Sequence, residues 1–160
     1  MLETNQIPLL VVEDSDEDFE VLQILMEDLK VTHPIYRCKT GDRALEFLYP
    51  NKESTSELSS GATPSPTRPS IILLDLNLPG LDGREVLEQL KQDQNLCGIP
   101  VVIFTTSSDP KDIQLCYEKG ANGYLIKPVD VDELEKKVQA FVEYWLDANT
   151  LPKLGPLTFR

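Results

Sequence analysis

The chain has 160 residues, with 15 Lys and Arg against 27 Asp and Glu, giving a formal net charge of -12. That is one domain's length, and a chain so acidic lacks the basic excess that holds nucleic acid or an anionic membrane surface, so neither is an expected partner. At 41% hydrophobic residues, it nevertheless has enough apolar material for a core.

Ile7 to Val12 is a short continuous apolar run, the pattern of a strand buried on both faces. Phe19, Leu22, Leu25, Met26 and Leu29 come next at helical spacing and predict a helix over 15–30. Val31 to Cys38 reads as a second strand. Thr40 can cap a helix running to about Tyr49, with Ala44, Leu45 and Leu48 inward.

Residues 50–69 break the rhythm. They hold prolines, many Ser and Thr, and Leu58 as their one large aliphatic residue, so a mobile insertion is expected there.

The rhythm then resumes. Ile71 to Leu74 is the strongest buried-strand run in the chain, and Gly83 to about Gln94 is helical, with Val86, Leu87 and Leu90 on one face. Pro100 to Phe104 predicts a fourth strand. Asp109-Pro110, an N-cap with proline after it, opens a helix to about Lys119. Gly123 to Ile126 is a short fifth strand. Asp130 to Glu133 resembles a capping box and opens a last helix reaching about Leu146, in which Phe141, Val142 and Trp145 are spaced to pack on the sheet while Tyr144 and Leu146 point elsewhere. Those adjacent aromatics, beside a tail with Leu151, Pro152, Leu154 and Leu157, predict a homodimer contact through the last helix and residues 147–160.

Strands alternating with helices give an α/β fold: a flavodoxin-like (βα)5 doubly wound parallel five-stranded sheet, in one domain over 1–146. No apolar stretch approaches the roughly 20 residues of a membrane span. Met1 to Gln6 has no basic, then apolar, signal pattern, so a cytoplasmic location is expected. Cys38, Cys97 and Cys116 are odd in number and widely spaced, with one histidine in the chain, so ordinary thiols are expected rather than disulfides or a zinc site.

In such sheets, function lies beyond the carboxyl ends of the strands. Strand one ends in Glu13-Asp14, strand three in Asp75 and strand four in Thr105; Lys127 comes directly after strand five. Carboxylates converging there require a cation, and hard oxygen ligands without a full cage suit Mg2+, with Mn2+ able to substitute. This set fits phosphoryl chemistry. Asp75, on the central strand, is the candidate nucleophile, with Glu13 and Asp14 as metal ligands. Lys127 pairs with Asp75 or its phosphoryl group, and the Thr105 hydroxyl bonds a phosphoryl oxygen.

The stretches Leu10 to Ser15, Leu73 to Gly83, Pro100 to Thr105, and Lys127-Pro128 resemble the receiver domain of two-component response regulators. The resemblance spans roughly residues 7–146. It implies phosphorylation of Asp75 by a partner histidine kinase, Mg2+ held by Asp14, Asp75 and the backbone carbonyl of Asn77, and an acid of either kind at Glu13. It also implies a cis Lys127–Pro128 bond and a switch in which Thr105 moves toward the phosphoryl group and Tyr124 changes rotamer. Such a protein is a phosphoacceptor and not an enzyme, although it assists its own phosphotransfer and slow autodephosphorylation.

Asp75 to Leu87, Thr105 to Ser107, Asp112-Ile113, Tyr144 to Leu146 and Leu151-Pro152 further resemble the stand-alone regulators of bacterial, chiefly cyanobacterial, phytochromes. That narrower resemblance implies a phytochrome histidine kinase upstream and dimers built on the last helix and tail.

Rival readings are weaker. A haloacid-dehalogenase-like phosphatase needs an acid two residues after the nucleophile, where this chain has Asn77. A flavin binder needs a hydroxyl- and Gly-rich loop after strand one, where this chain runs Glu13 to Asp18. A non-phosphorylated receiver-like scaffold does not account for the intact Glu13, Asp14, Asp75, Thr105 and Lys127 set. Asp16, Glu17, Asp18 and Glu20 read mainly as a solvated face favourable to the helix dipole, with a kinase-facing rim as the functional alternative.

Overall fold

The computed structural model describes residues 6–49 and 68–152. Most of the 50–69 insertion and the tail beyond Pro152 lie outside the described residues.

Among the described residues, five strands and five helices alternate: β1 (Leu9–Val12), α1 (Asp16–Asp28), β2 (Ile35–Cys38), α2 (Gly41–Leu48), β3 (Ile71–Leu74), α3 (Gly83–Gln92), β4 (Val101–Thr105), α4 (Pro110–Glu118), β5 (Gly123–Ile126) and α5 (Val131–Phe141). All strand pairings are parallel, in the order β2-β1-β3-β4-β5. The expected doubly wound α/β sheet is therefore what forms.

The period-2 geometry of the strands divides the core in two. Leu10, Val12, Ile72 and Leu74 face α2, α3 and α4, meeting Ala44, Leu48, Val86, Leu87, Leu90 and Cys116. Leu9, Val11, Ile71 and Leu73 face α1 and α5, meeting Leu22, Met26, Val138 and Phe141. The three inner strands are buried throughout, as their unbroken apolar runs require.

Each helix begins on a side-chain cap. Ser15, Thr40, Asp82, Asp109 and Asp130 all accept backbone N–H groups of the first turn, and Asp82 with Glu85 completes a capping box. The expected capping box at Asp130 is present as a simple cap on Asp132 N.

Three local expectations change. First, β2 begins at Ile35, not Val31. Lys30 takes a left-handed turn (φ 60°), and the Val31 N–H bonds back to the Met26 carbonyl, so 31–34 connects helix to strand. Second, no cis peptide bond occurs among the described residues, so Lys127–Pro128 is trans, the isomer an X–Pro bond favours by roughly 0.5–1 kcal/mol. Third, Leu146 is buried, at 5% exposure, and does not point away from the core. α5 runs directly into a π-helical segment, Val142–Ala148, whose wider turn carries Leu146 onto the core face and leaves Trp145 half-buried. The Asn149 N–H reaches the Tyr144 carbonyl at 2.6 Å, closing that wide turn. Tyr144 points outward at 55% exposure, as expected.

Candidate functional site

The sheet order reverses between β1 and β3, and the strand register brings their ends level. Val12 pairs with Leu74, and the Asp75 N–H donates to the Val12 carbonyl at 3.0 Å. Glu13, Asp14 and Asp75 consequently emerge side by side at the switch point, where ligands of such sheets bind. On the other side of β3, Leu74 pairs with Ile103, which carries Thr105 to the same edge. Thr105 pairs in turn with Ile126, and Lys127 N–H donates to the Thr105 carbonyl at 2.7 Å.

Carboxylate oxygens of Glu13, Asp14 and Asp75 all lie within 4.8 Å of one another. Glu13 and Asp75 are buried, at 4% and 7% exposure, whereas Asp14 is open to solvent. Burying two carboxylates beside a third is costly unless positive charge is supplied. Lys127 supplies part of it. Its Nζ donates to Glu13 Oε2 at 2.5 Å, to Asp75 Oδ2 at 3.1 Å and to Asp18 Oδ2 at 3.1 Å. The other oxygen of each buried acid takes a backbone N–H: Asp75 Oδ1 accepts from Asn77 at 3.2 Å, and Glu13 Oε1 from Ser15 at 3.1 Å.

The protonation energetics record the same imbalance. Burial, with Asp75 adding to it, pushes the Glu13 carboxyl from 4.5 up to about 7 against the opposing pull of Lys127. Burial alone would lower the Lys127 ammonium, but Glu13, Asp75 and Asp18 outweigh it and hold its pKa above the ordinary range. One ammonium thus serves three carboxylates, and Asp14 adds a fourth negative charge. Hard oxygen donors, one of them open to solvent and the cluster short of positive charge, fit a divalent cation that keeps some of its water.

The loop after Asp75 is fixed by close packing. A Cβ on Gly83 would lie 2.2 Å from the Asp75 carbonyl oxygen and 2.7 Å from Leu76 Cα. Only glycine lets the start of α3 approach the strand end this closely, where its N–H meets the Leu76 carbonyl at 3.0 Å. Gly80 turns the same loop at φ 71°.

The sequence-predicted residues Glu13, Asp14, Asp75 and Lys127 thus meet. Asn77 sits in the loop beside them, and Thr105 is fully buried at the end of β4. Tyr124 is half-buried on β5, and its hydroxyl donates to the Ser107 carbonyl at 2.9 Å. Sequence reasoning missed Asp18, which it placed on a solvated face. Its signal was available: Asp18 lies in the first turn of α1, close after Glu13-Asp14, and that turn looks back at the strand ends. The neighbouring Asp16 instead pairs with Arg37 and Lys39.

A family model described as the response regulator receiver domain matches residues 9–139. The chain belongs to this family. It is 38% identical over 144 residues to the response regulator Rcp1 of Synechocystis sp., covering 90% of this chain and 92% of Rcp1. It is 36% identical over 148 residues to the probable methanogenesis regulatory protein FilR2 of Methanothrix harundinacea, covering 92% of this chain and 88% of that one. Among solved structures, the Mn2+-bound form of Rcp1 superposes with a TM-score of 0.80 over 91% of this chain and 99% of its own. The phosphorylated cyanobacterial phytochrome response regulator RcpA gives a TM-score of 0.80 at 34% identity, over 92% of this chain and 99% of its own. The receiver domain thus accounts for most of the chain, and no helix among the described residues is long and apolar enough to cross a membrane.

Proposed function

We propose that this receiver accepts a phosphoryl group on Asp75 from a partner histidine kinase, in a reaction that depends on Mg2+ or Mn2+. The observation that carries the reading is the environment of Asp75: a buried carboxylate at the switch point, with Lys127 on one oxygen and the Asn77 N–H on the other.

A carboxylate oxygen of Asp75 attacks phosphorus, the new O–P bond forms, and the bond to the donor's nitrogen or oxygen breaks. Lys127 and the Asn77 N–H orient the two carboxylate oxygens before attack. Lys127 then neutralises charge on the phosphorylated product, and the Thr105 hydroxyl donates to a phosphoryl oxygen. Glu13, Asp14, Asp75 and the Asn77 carbonyl would hold the cation. When bound, it supplies positive charge opposite the phosphoryl oxygens. Asn77 provides no general base two residues beyond Asp75, which favours a persistent phospho-aspartate and leaves autodephosphorylation slow.

The partner kinase is proposed to be a phytochrome, on the strength of the similarity to Rcp1 and RcpA. Signalling then proceeds through altered protein contact, with Thr105 and Tyr124 as the moving residues. The last helix and tail are proposed to form a homodimer: Tyr144 is exposed there, its ring held edge-on against Trp145 at 5.0 Å. A cytoplasmic location accords with a cytosolic kinase domain as donor.

The test is phosphotransfer. Wild-type protein with Mg2+ and a small phosphodonor should gain one phosphoryl group, and Asp75→Asn should gain none. Equal labelling of the Asn variant would show that another residue is the acceptor. Comparing transfer from a phytochrome kinase in light and dark tests the partner.

A further inference from the structure

Beyond the strand ends, polar side chains form a connected path that the phosphoacceptor site does not use. Tyr124 on β5 donates through its hydroxyl to the Ser107 carbonyl. The Ser107 hydroxyl donates to Asp112 Oδ2 at 2.6 Å. Asp112 lies in the first turn of α4, and its other oxygen takes Arg84 Nη2 at 2.8 Å and Nε at 3.0 Å. Arg84, in the first turn of α3, also reaches both oxygens of Asp82 at 3.0 Å. Asp82 caps α3 and ends the loop that begins at Asp75.

Several facts make this path more than a surface ion pair. Arg84 and Asp112 are only 22% and 21% exposed at their side chains, so solvent screens them less than a surface pair. The guanidinium meets Asp112 through two nitrogens, which fixes orientation as well as distance. Ser107 is held at every polar group: its N–H faces Thr105 Oγ1 at a long 3.5 Å, its carbonyl takes Tyr124, and its hydroxyl takes Asp112. The Ser107 hydroxyl also accepts from the Asp109 N–H at 3.4 Å, and its bond to Asp112 is the shortest of the four.

Resting on the phosphoacceptor reading above, we propose that Asp112, clamped by Arg84, is a positioning residue: it holds Ser107 so that a movement of Thr105 is transmitted to the Tyr124 hydroxyl. A chain segment tied at Ser107 passes a shift at Thr105 on to Tyr124. Released from Asp112, the same segment absorbs the shift locally. The Arg84–Asp82 contact gives the loop after Asp75 a second hold on the same clamp. The coupling is then a property of a bonded element that both sites bias, not of distance.

The experiment uses the full chain labelled with fluorotyrosine, the Tyr124 resonance being assigned by Tyr124→Phe. Beryllofluoride with Mg2+ serves as the phosphoryl analogue. In wild-type protein it should displace the Tyr124 resonance. In Asp112→Ala, beryllofluoride should bind with similar affinity, but the displacement should fall several-fold. Ser107→Ala should give the same loss, and the double variant should lose little more, because both residues belong to one path. Even without the analogue, Asp112→Ala and Ser107→Ala should share one Tyr124 resonance that differs from wild type. A full displacement in Asp112→Ala, additive losses in the double variant, or an unmoved Tyr124 resonance in both single variants would overturn the proposal. Wild-type protein that binds no beryllofluoride would instead overturn the phosphoacceptor reading, leaving the analogue-free comparison to decide the role of Asp112.

Discussion

Lys127 Nζ lies 2.5 Å from Glu13 Oε2, although 114 positions separate the two residues in the chain. That ammonium also holds Asp75 and Asp18, so it is the single cation among the described residues that neutralises the strand-end carboxylates. Replacing it by Met leaves buried negative charge without compensation, which costs about 3–5 kcal/mol when a buried pair is broken. Lys127→Met should therefore unfold at a clearly lower temperature in metal-free buffer. Mg2+ should recover more stability in the variant than in wild type, because the competing ammonium has gone. Thermal unfolding with and without Mg2+ checks this, and an equal Mg2+ effect in both proteins would count against this charge balance.

The pH dependence originates in Glu13. Its carboxyl titrates at about 7 in the folded protein, against 4.5 for the ordinary group. The folded state thus holds this proton more tightly than the unfolded state does. Glu13's contribution to metal-free stability is most favourable below pH 4.5, falls as pH rises through the interval to about 7, and is flat above it. A cation binds the ionised form, so protons compete with it. Mg2+ should raise the unfolding temperature more at pH 8 than at pH 6. Glu13→Gln should flatten that difference.

The parts of this fold that are legible in the sequence are those with a period. Ile71 to Leu74 declares a strand because four consecutive aliphatic residues fit a position buried on both faces, and the polar residue just beyond each such run marks the site. The Ser107–Asp112–Arg84 path and the phase of Leu146 have no periodic signal. Arg84 and Asp112 are 28 positions apart and polar, and nothing in local spacing says which of many surface charges will meet. Leu146 is misplaced when a 3.6-residue period is extended through a segment that winds more widely.

Gly83 makes a sharper test of the loop geometry. Alanine there sets Cβ against backbone atoms of Asp75 and Leu76, which cannot move without displacing the proposed phosphoacceptor, Asp75. Gly83→Ala should cost about 2 kcal/mol or more and slow labelling of Asp75. Gly123→Ala is the control: the nearest atoms its Cβ would meet are side-chain atoms of Val102 and Trp145, at 3.5–3.7 Å. That variant should stay within about 0.5 kcal/mol of wild type and label normally. Denaturant unfolding and phosphodonor labelling of both variants decide the matter.

The wide turn at the end of α5 separates two neighbouring apolar residues by role. Leu146 is packed with Val142, Phe141 and the α1 side of the sheet, so Leu146→Ala removes buried methyl groups and should cost about 2–3 kcal/mol. Tyr144 stands outside that cluster at 55% exposure, touching the edge of Trp145. Tyr144→Ala should change stability by less than about 0.5 kcal/mol. If the last helix is the subunit contact, this same variant should shift the protein toward monomer in sedimentation at concentrations where wild type associates. A loss of stability in Tyr144→Ala as large as in Leu146→Ala would mean that the ring serves the fold. Unchanged association in Tyr144→Ala would place any dimer contact elsewhere on the molecule.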